Sequence, residues 1–163
     1  MSIKLFVMDV DGTLTDGHIY IGAQGELMKA FDVKDGYAIA HLLPPAGIVP
    51  VIITGRRSAI VEERARELAI TELHQGVGDK LACLKAVAEK YGVKSEEIAY
   101  IGDDLNDLSC IQYCGTTACP HDAVPNILVK VDYVCAHNGG RGAVREFIDY
   151  LAKNKQVFRL SEG

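Results

Sequence analysis

The chain has 163 residues, a formal net charge of −5 at pH 7, 48% hydrophobic residues and 24% charged residues. These values are typical of one folded domain, predicted to span residues 1–163, and they exclude disordered and fibrous proteins. The acidic balance argues against nucleic-acid binding, and no apolar run reaches the roughly 18 residues that cross a bilayer, so neither a nucleic acid nor a membrane is predicted as a partner.

The predicted elements, in chain order, alternate between apolar strands and amphipathic helices. Strands are predicted at 3–8, 48–54, 98–101, 116–118 and 132–135, with helices at 59–69 and 80–91. Strands that alternate with amphipathic helices are typical of a parallel sheet with right-handed crossovers. The fold class is therefore predicted as α/β, with a parallel sheet flanked by helices.

One segment interrupts this alternation. Two short strand-like runs on either side of Gly22-Ala-Gln-Gly25 predict a β-hairpin, inserted in the domain at about 18–31. Its apolar side chains Ile19, Ile21 and Phe31 either pack on the chain's own sheet or pair with neighbouring subunits through exposed strand edges. The sequence leaves both alternatives open.

Carboxylates collect where two predicted strands end. Asp9 and Asp11 follow the first strand, and Asp103, Asp104 and Asp107 follow the strand at 98–101. In parallel sheets, ligands bind beyond the carboxyl ends of the strands. If the two loops are neighbours, they gather hard oxygen ligands without Cys or His, which favours Mg²⁺ over zinc or copper.

Three further residues complete a set that suits phosphoryl transfer. Thr54 and Gly55 follow the strand at 48–54 with a hydroxyl and backbone amides that can donate to phosphoryl oxygens, and Lys80 offers an ammonium group. A nucleophilic carboxylate, a second carboxyl for proton transfer and a magnesium ion would supply the other requirements of the reaction.

These residues occur in the order of four known motifs. The segments Asp9-Val-Asp-Gly-Thr13, Thr54-Gly-Arg56, Lys80 and Gly102-Asp-Asp-Leu-Asn-Asp107 resemble the motifs of haloacid dehalogenase superfamily phosphatases. The resemblance implies a three-layer Rossmann-like fold. The gaps between the motifs are too short for a second folded unit, so no separate cap domain is predicted, and an open site of this kind favours a macromolecular substrate or closure by another subunit.

The resemblance also implies a role for each motif residue. Asp9 would be the nucleophile that forms an aspartyl-phosphate, and Asp11 would protonate the leaving alcohol and then activate the hydrolytic water. Thr54 and Lys80 would hold the phosphoryl group. Mg²⁺ would be bound by Asp9, Asp103 and the backbone carbonyl of Asp11, while Asp104 and Asp107 would orient Lys80 or water molecules.

A longer pattern resembles one particular family within this superfamily. The segments at 31–37, 54–58, 75–80 and 137–146 are similar to those of 3-deoxy-D-manno-octulosonate 8-phosphate (KDO 8-phosphate) phosphatases, which act in lipopolysaccharide biosynthesis. This family implies a homotetramer in which the hairpins meet at the centre and a neighbouring subunit closes each active site.

The same resemblance suggests contacts with the sugar acid. Arg56 and Arg64 are candidates for its distal end because a guanidinium suits carboxylates and hydroxyls, and Lys34 and Asp35 are candidates for polar contacts. Each of the four is alternatively a solvated surface residue. A nine-carbon sugar acid 9-phosphate, of the KDN or N-acetylneuraminate type, remains an alternative substrate. A non-catalytic regulatory or oligomerisation module of a cytidylyltransferase system is the alternative from another class.

Two remaining features are less specific. Gly139-Gly-Arg-Gly142 precedes an amphipathic helix and forms either an anion site at the helix N-terminus or a plain loop. The five cysteines offer no zinc-binding spacing, and an aspartate as early as position 9 argues against a secretory signal. Free thiols are typical of the reduced cytosol, so we predict a cytoplasmic protein.

Overall fold

The computed structural model describes residues 2–154, so most of the polar tail predicted after Lys153 lies outside the described residues. The strands are β1 (Leu5–Met8), β2 (Tyr20–Gly22), β3 (Gly25–Met28), β4 (Val49–Ile53), β5 (Glu72–His74), β6 (Ile98–Ile101), β7 (Thr116–Cys119) and β8 (Tyr133–Val134). The helices are α1 (Val33–His41), α2 (Ala59–Glu67), α3 (Lys80–Tyr91), α4 (Leu108–Tyr113), α5 (Pro125–Leu128) and α6 (Ala143–Asn154). Within the described range, every helix is too short or too polar to cross a bilayer.

Six strands form one parallel sheet in the order β5-β4-β1-β6-β7-β8. The predicted α/β class and the five predicted strands of this sheet are confirmed. The prediction missed β5, which is only three residues long and contains Glu72 and His74. A strand with two polar residues out of three carries no apolar run from which it can be recognised.

Alternate residues of the central strand enter different layers. Phe6 and Met8 face a core built with α1, α2 and α6, whereas Leu5 and Val7 face a core built with α3, α4 and α5. This alternation follows from the two-residue period of a strand that is covered on both faces. The molecule therefore has three layers, with the sheet between two layers of helices.

The inserted hairpin is confirmed, and in the described chain its two strands pair only with each other. Phe31 packs against the core beneath α1 and α2, as the first of the two predicted alternatives requires. Ile21 and Leu27, by contrast, are 69% and 68% exposed. The hairpin therefore keeps one anchor in its own subunit and presents apolar side chains to the outside.

The order of the strands positions the functional site. From β1 the chain first moves to β4 and β5 on one side, and then returns to β6, β7 and β8 on the other. Such a reversal opens a crevice at the carboxyl ends of the strands around it, here β1, β4 and β6. Between β1 and β4 the chain forms only the hairpin, α1 and a short 3₁₀ turn, so this segment builds no cap domain over the crevice.

Candidate active site

The predicted motif residues meet at the carboxyl ends of β1, β4 and β6. Met8 is in register with Ile52 on one side and with Ile101 on the other, which brings the three following loops to the same edge. The cleft there is lined by Asp9, Asp11, Thr54, Gly55, Arg56, Asp103, Asp104 and Asn106. The strand ends predicted from the sequence thus form one cleft.

Lys80 joins two of the carboxylates beneath this cleft. Its Nζ lies 2.9 Å from Asp9 Oδ1 and 2.8 Å from Asp107 Oδ1, and all three side chains are buried. Lys80 is the first residue of α3, whose N-cap Asp79 accepts a hydrogen bond from Ala82 N. The start of the helix therefore fixes where the ammonium group enters the site.

Asp107 is fully buried and accepts four hydrogen bonds. Besides Lys80 Nζ, its Oδ1 accepts from the hydroxyl of Tyr100 at 2.5 Å, and its Oδ2 accepts from the amides of Asp103 at 3.0 Å and Asp104 at 3.3 Å. Asp104 is exposed and its own Oδ1 accepts from Leu105 N. The acceptors of Asp107 are thus used inside the protein, which suits a residue that positions Lys80 and the loop.

Asp103 has a different environment. Its Oδ1 is buried and has no hydrogen-bond partner, although buried polar atoms are normally paired. A Cβ at Gly12 would lie 1.9 Å from Asp103 Oδ2, and Gly12 has a φ of +86°. The first motif therefore needs glycine at this position both for its backbone conformation and for the approach of the Asp103 carboxylate.

The carboxylates of Asp9, Asp103 and Asp107 bring one oxygen each within 4.8 Å of one another. Burial raises the pKa of Asp9 to about 6, and the charge of Asp107 acts in the same direction. Burial and the charge of Asp9 raise the pKa of Asp103 to about 8. Burial alone would lower the pKa of Lys80, but the two carboxylates raise it. One ammonium group thus faces three carboxylates, an arrangement that a divalent cation would balance.

Asp11 lies on the hairpin side of the cleft, about one fifth exposed. Its Oδ1 accepts from Lys29 Nζ at 2.6 Å, and its Oδ2 lies 3.9 Å from Arg56 Nε. Lys29 Nζ also lies 2.9 Å from Glu26 Oε1. The hairpin therefore supplies a cation to a residue of the first motif.

The four predicted sugar contacts do not lie together. Arg56 lines the cleft and its side chain is 54% exposed, as a substrate contact requires. Arg64 instead stacks on the ring of Phe31 and donates to the carbonyl of Asp32, within the subunit. Lys34 is exposed at the start of α1 and does not line the cleft.

Asp35 is only 1% exposed, so the structure does not place it as a surface residue or in the cleft. Its Oδ1 accepts a hydrogen bond of 2.8 Å from the amide of Arg145 in the first turn of α6. Burial raises its pKa to about 7, although the Arg145 amide acts in the opposite direction. Asp35 therefore joins α1 to the N-terminus of α6.

The glycine-rich loop before α6 packs against the first motif. A Cβ at Gly139 would lie 2.0 Å from the carbonyl oxygen of Gly12, and a Cβ at Gly140 would lie 2.6 Å from the amide of Asp16. Of the two alternatives for this segment, the structure favours a loop whose glycines allow close backbone contact.

Sequence reasoning missed Tyr100 and Lys29. Tyr100 is the one residue with a polar group in the otherwise apolar run of β6. Because a buried tyrosine hydroxyl usually has a hydrogen-bond partner, this is a weak signal of a polar group nearby. Lys29 directly follows β3 and gave no signal, because a lysine at the end of a hairpin is usually solvated.

The comparisons with known proteins agree with this arrangement. Residues 69–148 match the family model of the haloacid dehalogenase-like hydrolases. The 3-deoxy-D-manno-octulosonate 8-phosphate phosphatase KdsC of Escherichia coli (strain K12) is 45% identical over 150 residues, which are 92% of this chain and 79% of the relative.

Solved structures show the same similarity to 3-deoxy-D-manno-octulosonate 8-phosphate phosphatases. The crystal structure of the 3-deoxy-D-manno-octulosonate 8-phosphate phosphatase from Yersinia pestis has a TM-score of 0.90 and 44% identity, and the match covers 95% of this chain and 84% of that one. The enzyme from Moraxella catarrhalis, in complex with magnesium ion, phosphate ion and KDO, has a TM-score of 0.89 and 42% identity, over 93% of this chain and 86% of that one.

Proposed function

The chain belongs to the 3-deoxy-D-manno-octulosonate 8-phosphate phosphatase family of haloacid dehalogenase-like hydrolases, and on this premise we propose that it is a Mg²⁺-dependent phosphatase that converts KDO 8-phosphate to KDO and phosphate. The observation that carries this proposal is the 45% identity with KdsC over 92% of the chain. The meeting of Asp9, Lys80 and Asp103 at one sheet edge supports it independently of that similarity.

The residues of the cleft fit a magnesium ion. The buried, unpartnered Oδ1 of Asp103 and the crowded carboxylate of Asp9 are hard oxygen donors, which Mg²⁺ prefers. We propose that these two side chains and the backbone carbonyl of Asp11 hold the ion. Asp107 is close enough to be a ligand, but its oxygens already accept from four protein donors. We therefore propose that Asp107 does not bind the ion directly.

The first half of the reaction transfers the phosphoryl group to the protein. A carboxylate oxygen of Asp9 attacks phosphorus, the bond between phosphorus and the 8-oxygen of the sugar breaks, and Asp11 gives its proton to that oxygen. Thr54, Gly55 and Lys80 stabilise the charge on the transferring group. When bound, Mg²⁺ supplies further positive charge to the phosphoryl oxygens.

The second half releases phosphate. The ionised Asp11 accepts a proton from a water molecule, whose oxygen attacks the phosphorus of the Asp9 aspartyl-phosphate, and the bond to Asp9 breaks. Asp9 is thereby restored as a carboxylate and Asp11 as an acid. In this scheme Asp11 acts once as an acid and once as a base.

We propose that Arg56 binds the sugar acid, because it lines the cleft and its side chain is more than half exposed. Arg56→Ala should lower kcat/KM for KDO 8-phosphate by about 10-fold to 100-fold, as expected when a charge-assisted contact is lost, and should change the hydrolysis of p-nitrophenyl phosphate much less. Equal losses on both substrates would contradict a role of Arg56 in binding the sugar acid.

The other predicted sugar contacts carry less support. Lys34 is exposed outside the cleft of its own subunit, and we propose it as a contact only for a sugar held between subunits. Arg64 and Asp35 are engaged inside the subunit by Phe31, Asp32 and Arg145, so we propose that they shape the wall behind the cleft.

We further propose a homotetramer in which the hairpins meet and a neighbouring subunit closes each site. The exposed Ile21 and Leu27 on the hairpin support this, because large apolar side chains grouped on a surface commonly mark an interface. Ile21→Asp should dissociate the assembly in light scattering. The matched control is Val129→Asp, which alters an apolar residue that is 78% exposed beyond α5 and should leave the size unchanged.

Location and pathway complete the proposal. Five free cysteines suit the reducing cytoplasm, where we propose that the enzyme acts in the synthesis of lipopolysaccharide. We also propose that residues 1–163 form a single domain.

The experiment that tests the function is a substrate panel measured with Mg²⁺ and with a chelator. We expect the highest kcat/KM for KDO 8-phosphate and no turnover after chelation. A clear preference for a nine-carbon sugar acid 9-phosphate would replace the proposed substrate. Release of no phosphate from any sugar phosphate would favour the regulatory module of a cytidylyltransferase system.

A further inference from the structure

Lys29 is a buried cation of the hairpin that the reaction described above does not use. Its side chain is only 2% exposed, and its Nζ lies between Asp11 Oδ1 at 2.6 Å and Glu26 Oε1 at 2.9 Å. A lysine is rarely buried to this extent unless it is paired. Lys29 therefore belongs to a built contact between the hairpin and the cleft.

The contact continues to the loop that follows β4. Glu26 Oε2 accepts from the hydroxyl of Ser58 at 2.6 Å, and the same hydroxyl oxygen accepts from Val61 N at the start of α2. Ser58 N donates to Gln75 Oε1. A chain of hydrogen bonds thus connects Lys29 with the segment that directly follows Thr54 and Arg56.

The chemistry of the ammonium group distinguishes the two oxygens of Asp11. An ammonium group has three donors and no acceptor, so the oxygen that it contacts, Oδ1, must act as an acceptor. Oδ2 is therefore the oxygen of Asp11 that Lys29 leaves free for another contact. Oδ2 is the oxygen nearer to the cleft residue Arg56, whose Nε lies 3.9 Å away.

We propose that Lys29 is a positioning residue that holds Asp11 by Oδ1 and so turns Oδ2 toward the leaving group of the substrate. The proposal rests on the proposed function, since it assigns a partner to the acid of that reaction. It also gives the hairpin a role in catalysis within its own subunit, beyond the interface proposed for its exposed face.

The leaving group offers a direct test. The sugar alkoxide of KDO 8-phosphate leaves poorly without a proton, whereas p-nitrophenolate leaves readily without one. In Lys29→Met we expect kcat/KM to fall about 10²-fold to 10³-fold for KDO 8-phosphate, and less than about 5-fold for p-nitrophenyl phosphate, because general acid catalysis accounts for about 10²-fold to 10⁴-fold. The constant kcat/KM is used because it reports the steps up to departure of the leaving group.

Four further variants complete the design. Asp11→Asn should show the same preference for the good leaving group, and Lys29→Met should add little in that background, because the two residues act as one unit. Lys29→Arg, which keeps a cation, should restore most of the activity on KDO 8-phosphate. Glu26→Gln removes the other carboxylate that holds Lys29 without touching Asp11, and should lower kcat/KM for KDO 8-phosphate less than Lys29→Met does, while p-nitrophenyl phosphate changes little.

Equal losses of Lys29→Met on the two substrates, or no loss on either, would overturn the positioning role. If Lys29→Met does not fold, the same comparison is made with Lys29→Gln, whose polar side chain fills most of the same space. A wild-type protein that hydrolyses other alkyl phosphates but not KDO 8-phosphate would contradict the proposed substrate alone, and the Lys29 comparison would then use the alkyl phosphate that is turned over.

Discussion

Asp9 and Asp103, which follow β1 and β6, and Glu72 on β5 are carboxylates of the same sheet, but they have different surroundings. At the cleft, one ammonium group contacts Asp9 and Asp107, and the Oδ1 of Asp103 has no donor. At β5, the single carboxylate of Glu72 is contacted by several donors.

The donors of Glu72 come from its own strand and from the end of α3. Oε1 accepts from Lys90 Nζ and, at 2.7 Å, from the hydroxyl of Tyr91, while Oε2 lies 3.0 Å from His74 Nε2. Burial would raise the pKa of Glu72, but these hydrogen bonds lower it to about 2. The pKa of Asp9 and the pKa of Asp103 are raised instead, to about 6 and about 8.

This difference separates a site that stabilises the fold from a site that is prepared for a ligand. Glu72 fastens the edge strand to α3, so its charge strengthens the folded state. The carboxylates of the cleft repel one another and gain stability only when a cation or another positive group joins them. Three variants test this comparison.

The largest effect is expected at the nucleophile. Asp9→Asn should lower kcat on the order of 10⁴-fold or more, because the attacking oxygen is lost. The same variant should not lower the thermal stability of the metal-free protein, because the substitution removes a charge that burial and Asp107 disfavour. Steady-state kinetics and calorimetry on the same sample measure both quantities. Undiminished turnover would contradict the proposed mechanism, and a large loss of stability would contradict the proposed repulsion.

A smaller effect is expected from the metal. At a Mg²⁺ concentration about 100 times its Kd, binding should add roughly 2.7 kcal/mol to the free energy of unfolding. Asp103→Asn should lose most of this gain, because a carboxylate donor becomes a neutral amide. Thermal unfolding with and without Mg²⁺ measures the gain. An equal gain in the wild type and in this variant would show that the ion binds elsewhere.

The smallest effect is expected at Glu72, and it concerns stability alone. Glu72→Gln should lower the free energy of unfolding by about 1–3 kcal/mol at neutral pH, as expected for hydrogen bonds to a charged group. Folding lowers the pKa of Glu72 from 4.5 to about 2. The contribution of its carboxylate to the free energy of unfolding is therefore fully present above pH 4.5 and disappears as the pH falls toward 2.

The control is Glu89→Gln on the exposed face of the same helix, α3, which should change stability little at any pH. Urea unfolding of the three proteins between pH 7 and pH 3 makes the comparison. A deficit of Glu72→Gln that stayed constant over this range would show that the carboxylate charge is not the source of the stability. Turnover at neutral pH should be unchanged in both variants.

The parts of the site that follow strands were predictable, and those that depend on distant partners were not. Asp9, Thr54 and Asp103 follow apolar strand runs, and the parallel sheet brings such positions to one edge. Asp35 was predicted as a sugar contact from the family resemblance of the segment at 31–37. Its burial depends on the Arg145 amide, more than 100 residues further along the chain.

The amino-acid sequence by itself determined the alternation of strands and helices, the hairpin and the order of the motifs, because these follow from local hydrophobic periodicity and turn residues. Only the tertiary structure decided which polar and charged groups are paired. Tyr100 with Asp107, Lys29 with Asp11 and Glu72 with Lys90 are contacts across elements. Their energies depend on burial and on distances of a few ångströms, which no local pattern in the sequence encodes.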